Sequence, residues 1–452
     1  MRGHSVATFN LFPLQYNPQT GEIKFYHDLQ VTVHTEISSE AQRALDRFYR
    51  TDAATQTRLE NLVQNSEELM RYPIINNNRN INDYEYIIIT PNQFLTGLSN
   101  FVAFKQSQGY HVFTKTTEDI YSEYTGVDIA DQVRNFIIDA YQNMGAEYVL
   151  LVGDVNLVPH RGFWVNAGGT EDFSIPSELY YEGLDRVGNG PGPDWNTDDD
   201  TRWAETHEAD YLTEVYVGRI SVENSTELAA ALNKQIMYQN EPVIDDLETA
   251  LMVGENLNNN PLTWGGTYKD EIISGGNYNG YSTVGIPANI TANTLYERDV
   301  YWSATTLANH MNSGLNIINH LGHSNTDYNM KFYNSTVTNQ NITANGVDHN
   351  YFVIYSQGCL PAAIDTDCIA ERFTHIDNGC AAYVGNTRYG WYSPGGPNSG
   401  SQYMDRQFFN ALYDGIASKV SELNVKSKEI GVAQCNSSAW FRWSYYSLIT
   451  LG

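Results

Sequence analysis

Apolar and polar residues change their spacing several times along the 452-residue chain, and each change marks a different kind of element. Up to about residue 40, "VATFNLFPLQYNPQTGEIKFYHDLQVTVHTE" alternates with period two around the turn "NPQTGE", which predicts a small β unit. "SSEAQRALDRFYRTDAATQTRLENLVQNSEELMRY" is polar and helix-prone, and "PIINNNRNIN", headed by Pro73, reads as a linker with a domain boundary near Asp83. From there the pattern becomes strand, helix, strand. "YEYIIIT", "YHVFT", "EYVLLVG" and "EVYVGRI" are apolar runs suited to burial on both faces. "QFLTGLSNFVAFKQSQG", "VDIADQVRNFIIDAYQNMG" and "STELAAALNKQIMYQ" are the helices between them. The excursion "GNGPGPDWNTDDDTRWAETHEAD" is too polar to be expected in a core.

A second pass starts at "TALMVGEN" and runs through the helix "TTLANHMNSG", the strands "LNIINHL" and "YFVIYSQ", the helix "TDCIAERFTH" and the strand "CAAYVGN". Alternating strands and helices predict an α/β protein with mostly parallel sheets, in two tandem doubly wound units. The expected division is 1–82, 83–245 and 246–452. That agrees with about 100–200 residues per domain.

Composition narrows the function classes. Hydrophobic residues make up 41%, charged ones only 17%, and there are 32 tyrosines, so a packed globular chain is expected. A net charge of −27 repels phosphate backbones and anionic membranes, which leaves nucleic acid out as a partner. No apolar run reaches the roughly 18 residues of a spanning helix. "MRGHSVATFNLF" lacks the layout of a secretory signal, yet the acidic, Asn- and Tyr-rich surface suits an extracellular protein whose targeting segment lies elsewhere. A monomer is expected. The four cysteines, Cys359, Cys368, Cys380 and Cys435, form neither CxxC pairs nor an evenly spread framework, which disfavours zinc ribbons and redox motifs.

In open α/β sheets the chemistry sits beyond the carboxyl ends of the strands. "LNIINHL" delivers Gly322 and His323 to such an end, and "YFVIYSQG" delivers Cys359 to the corresponding place on a strand that a right-handed crossover makes a near neighbour. Taken singly, a buried cysteine is usually a small core residue and a histidine beside a glycine means little. Together they suggest a thiol nucleophile and its base, with the imidazole and the N-terminus of the helix in "LPAAIDTDCIAERF" raising the thiolate fraction. His320, on the strand itself, reads as structural. Cys368 within a helix and Cys380 at a strand start read as packing, and His310, His349 and His375 have no partner the sequence identifies.

The series "YEYIIIT", "YVLLVGDVNLVP", "EVYVGRIS", "LGHSN", "GCLPAAIDTDCIAERF" and "GWYSP" resembles, in order, the gingipain family of cysteine peptidases within the caspase-like group, over residues 83–452. The resemblance implies an endopeptidase with tandem caspase-like subdomains, in which Cys359 is the nucleophile, His323 the catalytic histidine and Glu255 of "LMVGEN" the acidic residue supporting it. It also implies an oxyanion hole from the backbone N–H groups of Ser324 and Cys359, and Trp391 as an aromatic wall of the S1 pocket. The chain departs from the family at Ser324, where glycine is usual. It departs again at Tyr268, which with Lys269 and Asp270 occupies the place of the aspartate that selects Arg or Lys, so Tyr268 and Asp270 are the candidate substrate-binding residues. It stops at "SLITLG", where the pattern would continue toward an immunoglobulin-like domain.

Residues 1 to about 80 are similar to the end of the family's pro-region, which makes Arg71 and Arg79 candidate activation cut sites. Asp198, Asp199 and Asp200 offer the hard oxygens that Ca²⁺ takes, outside any EF-hand pattern, and the resemblance adds weight to calcium as a structural ion. The chemistry itself needs no cofactor. Two rival classes are a catalytically inactive homologue acting as a binding or secretion-associated protein, and a glycan-active protein using paired carboxylates, for which no pair can be placed.

Overall fold

A computed structural model of the chain describes residues 1–36, 38–73, 84–185, 192–278, 281–396 and 399–452. Arg79, most of the predicted linker and the boundary at Asp83 lie outside the described residues. The main-sheet strands in chain order are β1 (Tyr86–Thr90), β2 (Val112–Thr116), β3 (Tyr148–Val152), β4 (Tyr216–Ile220), β5 (Thr249–Gly254), β6 (Thr291–Tyr296), β7 (Ile317–Leu321), β8 (Phe352–Ser356), β9 (Cys380–Asn386) and β10 (Leu448–Leu451). They form one ten-stranded sheet in the order β6-β5-β7-β8-β9-β10-β4-β3-β1-β2.

The apolar runs become strands because helices cover the sheet, so side chains on both faces are buried. Ile87, Ile88 and Ile89 of β1 and every residue of β7, β8 and β9 are buried. All neighbours are parallel except β9 and β10, so the parallel strands of each predicted unit meet edge to edge through one short antiparallel strand. Tyr383 and Leu451 face each other across that pair, and Leu451 pairs with Arg219 of β4 on its other side.

Two regions depart from the pattern reading. The polar excursion after residue 191 does reach the core: Trp195 is fully buried and stacks on Phe163 with centroids 4.9 Å apart, and Ala204 and Ala209 join the same apolar cluster. At the front, only Leu14–Asn17 and Glu22–Phe25 form a hairpin, and both strands are exposed throughout. Alternation gave each strand an apolar face, but nothing in the described chain packs on it.

The rest of the front segment is tied down. Helices α1 (Ser39–Phe48) and α2 (Ala53–Leu62) are capped by Ser38 and Asp52, whose side chains accept from Ala41 N–H and Thr55 N–H. Phe48 and Leu59 enter the main cluster. Arginines then bridge to the helices and loops around the sheet: Arg2 Nη2 lies 2.5 Å from Glu147 Oε1, Arg50 donates to the carbonyl of Tyr141, and the buried Arg58 pairs with Glu429 and donates to Thr213 Oγ1 at 2.6 Å. Removing one member of a buried ion pair leaves the other charge unpaired, which costs about 3–5 kcal/mol. Arg58→Ala is expected to lower the unfolding free energy by about that amount in denaturant titrations; a change below about 1 kcal/mol would show that the pair does not anchor the segment.

Candidate active site

Three adjacent parallel strands end at one place. In the register, Ile317, Ile318, Asn319 and His320 of β7 face Val353, Ile354, Tyr355 and Ser356 of β8, and on the other side His320 and Leu321 face Val253 and Gly254 of β5. Glu255 directly follows β5. His323 lies three residues beyond His320, and Cys359 three residues beyond Ser356. The predicted carboxylate, imidazole and thiol are therefore delivered to the C-terminal ends of neighbouring strands.

The turns beyond those ends are packed closely enough to require glycine. A Cβ on Gly358 would lie 2.4 Å from Ser324 Cβ, so the loop carrying Cys359 touches the loop carrying His323. The serine that replaces the usual glycine after the histidine is accommodated by the glycine before the cysteine. A Cβ on Gly322 would lie 2.4 Å from Glu255 Cδ and 2.5 Å from His320 Nε2. Leu360 has a left-handed φ of 65° and donates its N–H to the Arg388 carbonyl at 2.8 Å. Such a conformation in a branched residue costs on the order of 1–3 kcal/mol and is held here by the surrounding loop.

The Cys359 thiol is part-buried and faces the Gly390 carbonyl at 3.7 Å. Burial pushes its pKa above the ordinary thiol value. The expected helix N-terminus is not at hand: residues 360–367 form a loop, the helix spans Ile369–His375, and the Cys368 N–H at its start is taken by Glu371 Oε2 at 2.9 Å. Cys368 is thus the cap rather than part of the helix. Cys380 opens β9 as expected, and Cys368, Cys380 and Cys435 are buried, with their thiols pushed up by burial.

His323 is exposed, and its backbone N–H donates to Glu255 Oε2 at 3.0 Å. The imidazole nearest the carboxylate is that of His320, whose Nε2 lies 3.5 Å from Glu255 Oε1. Glu255 therefore meets the predicted base through the main chain. His320, read from sequence as merely structural, is fully buried, with Nδ1 2.9 Å from Ser356 Oγ. Lys269 is buried as well, bonded to Asn319 Oδ1 and Asp405 Oδ2 at 2.6 Å each, while Gln357 donates to the same Asp405. Sequence reasoning passed over these supports. The one available signal was spacing: His320 and Ser356 precede His323 and Cys359 by the same step.

Among the oxyanion candidates, the Cys359 N–H has no acceptor among the described residues, and Ser324 pairs with Asn329 in a short antiparallel ladder. The substrate-binding candidates separate. Tyr268 and Asp270 stand on the helix Gly265–Ser274, where a two-residue step turns side chains to nearly opposite faces. Tyr268 packs with Leu257, Leu321 and Tyr392, and its hydroxyl donates toward the carbonyls of Ser393 and Gly396 at 2.9 Å. Burial pushes its pKa up to about 12. Asp270 is instead ion-paired with Arg298 at 2.8 Å. Trp391 adjoins Gly390, is half-buried, and stands edge-on to Trp443 at 5.7 Å. Of the three candidate metal ligands only Asp198 joins a convergent group, with Glu205 and His207, whose ligand atoms all lie within 4.8 Å of one another. Asp200 instead accepts from the Arg202 N–H.

Residues 79–449 match the profile of Peptidase family C25. The chain is similar to Gingipain R1 of Porphyromonas gingivalis, 24% identical over 404 residues that cover 85% of this chain and 35% of that protein. It is similar to Lys-gingipain HG66 of the same organism, 21% identical over 400 residues that cover 86% of this chain and 20% of that one. The chain thus spans well under half the length of these relatives. The fold is that of the crystal structure of the Arg-specific cysteine proteinase gingipain R, with a TM-score of 0.61 at 17% identity, covering 82% of this chain and 78% of that one. Among the described residues no helix is long and apolar enough to cross a membrane.

Because burial favours the neutral thiol, the folded-state pKa of Cys359 exceeds that of a free cysteine, and thiolate accumulates only at higher pH. Alkylation of Cys359 by iodoacetamide is expected to be slower than that of free cysteine at pH 7 and to keep climbing where free cysteine has levelled off. A rate already flat at neutral pH would instead mean a resting thiolate–imidazolium pair.

Proposed function

The chain belongs to peptidase family C25, and from that premise we propose that it is a cysteine endopeptidase hydrolysing peptide bonds by acyl transfer. The observation that carries this reading is the parallel register of His320 with Ser356, which sets His323 and Cys359 at corresponding steps beyond paired positions. Cys359 Sγ attacks the scissile carbonyl as His323 takes the thiol proton, and the charge on the carbonyl oxygen is received by the N–H groups of Cys359 and Ser324. His323 returns the proton to the leaving amine, and the bond that breaks is C–N, leaving a thioester on Cys359. Water, deprotonated by His323, then releases the acid and restores the thiol. Glu255 accepts the His323 backbone N–H and so holds the main chain that carries the imidazole.

A preference for basic residues at P1 is supported by the relatives, one described as Arg specific and another as a Lys-gingipain. In this chain a basic side chain would meet the Tyr268 cluster and the carbonyls of Ser393 and Gly396, since Asp270 is engaged by Arg298. Carbonyl dipoles select a cation less sharply than a carboxylate does, so selectivity is expected to be modest. Residues 1–82 are read as a pro-segment. Arg71, 78% exposed and paired only with its helical neighbour Glu68, is the accessible cut site among the described residues. The second reading, an inactive homologue that binds rather than cleaves, is favoured by the Cys359 thiol facing the Gly390 carbonyl at 3.7 Å.

Asp198, Glu205 and His207 would hold a divalent cation. Two carboxylates suit Ca²⁺, while an imidazole is a ligand for softer ions, so the fit to calcium is partial. A structural calcium is expected to raise the melting temperature of the wild type but not of Asp198→Asn; equal shifts in both would remove this site.

Incubated with a peptide library, the wild type is expected to cleave and Cys359→Ala to give no turnover with unchanged melting. Arg and Lys at P1 are expected to exceed Leu by no more than about tenfold. Intact mass of the same incubation should show loss of the front segment. Cleavage by Cys359→Ala at the wild-type rate would overturn the assignment, and an inert wild type whose Cys359 resists a thiol-directed probe would favour the binding role.

A further inference from the structure

The network beneath the two loops is closed, and its proton positions follow from counting donors. Tyr383 donates its hydroxyl to Asn329 Oδ1 at 3.1 Å, which turns Asn329 Nδ2 toward Ser356 Oγ at 3.1 Å. Ser356 Oγ also accepts the Gly358 N–H at 3.2 Å. With two N–H groups on its lone pairs, the hydroxyl has its own proton left to give, and the atom at 2.9 Å is His320 Nδ1. Asn329 Nδ2 also points at Nδ1 from 3.4 Å, which a second N–H there would oppose. Nδ1 is therefore the acceptor and the ring proton sits on Nε2, facing Glu255 Oε1. His320, Asn329, Ser356 and Tyr383 are fully buried and Glu255 nearly so. His320 Nε2 and Glu255 Oε1 lie 3.5 Å apart, beyond a formed hydrogen bond, and each lacks any hydrogen-bond partner among the described residues, so each is the group the other faces.

We infer that His320 is a positioning residue for the loop of His323: held at Nδ1 by Ser356, it turns Nε2–H toward Glu255, the carboxylate that accepts the His323 N–H. This rests on the peptidase reading for its kinetic consequence, but not for its structural one. His320 touches no substrate, being sealed below Gly322, where a Cβ would already collide with it. The coupling acts on the His323 loop, because the His323 N–H is that loop's tie to Glu255 beyond the end of β5.

The two ring nitrogens can be tested apart. Glutamine reaches the Nε2 position and keeps a donor to Glu255, whereas asparagine reaches only the Nδ1 position and keeps the partner of Ser356. His320→Gln is expected to retain kcat within about threefold, and His320→Asn to lose about tenfold or more in kcat with KM unchanged. In a Glu255→Gln background, where the carboxylate is gone, His320→Asn should cost less than about threefold, the non-additivity of residues acting through one another. Independently of any activity, hydrogen exchange at the His323 amide should be faster in His320→Asn than in the wild type or His320→Gln. Equal kcat losses in both variants with parallel drops in melting temperature, full additivity with Glu255→Gln, or unchanged exchange at His323 would each overturn the inference. An inactive wild type with the expected exchange pattern would count against the peptidase reading and leave the coupling standing.

Discussion

One pairing underlies the site: the parallel ladder that sets His320 against Ser356. A parallel register slipped by one residue would turn every side chain of one strand to the opposite face. With β7 and β8 buried on both faces that slip is blocked by packing, so the core sets where the loops of His323 and Cys359 leave the sheet. The Cys359 thiol faces the Gly390 carbonyl at 3.7 Å, and His323 is exposed. Their loops are brought side by side by four residue pairs upstream, and by the tight contact of Gly358 with Ser324.

Much of this was legible in the chain. "CAAYVGN" is the strand Cys380–Asn386 residue for residue, and "LNIINHL" contains Ile317–Leu321, because short apolar runs between turn residues have few alternatives in an α/β protein. His323 and Cys359 were placed at strand ends by the same logic, whereas Glu255 came from the family resemblance alone. What failed depended on partners far along the chain. Residues 448–451 follow the helix Ala439–Ser447 with no turn signal, so the strand that joins the two halves was invisible. Trp195 sits in a polar stretch that only tertiary contact with Phe163 carries inward. Asp199 and Asp200 looked like partners of Asp198 because they are neighbours in sequence, but the metal-like group draws on Glu205 and His207 instead.

The acidic character of the chain also has an internal side. Its few cations are largely committed: Arg2, Arg50 and Arg58 fasten the front segment, Arg219 lies on Glu178 at 2.6 Å, and Lys269 on Asp405. Each such pair is weak evidence for stability, but a misplaced helix would strand a charge in a medium that solvates it poorly. The front segment is fixed by this means more than by its exposed hairpin.

The placement of β10 bears on how the protein comes to be assembled. The sheet half built from residues 86–220 keeps an unsatisfied edge at β4, and the half built from 249–386 keeps one at β9, until residues 448–451 are synthesised and inserted between them. During translation both half-sheets therefore wait with open backbone donors and acceptors, a state in which strands pair with strangers. Closure joins segments more than two hundred residues apart, the kind of long-range step that slows folding. A nascent chain of this design has reason to stay attended, by a chaperone or by the ribosome surface, until that closing strand emerges.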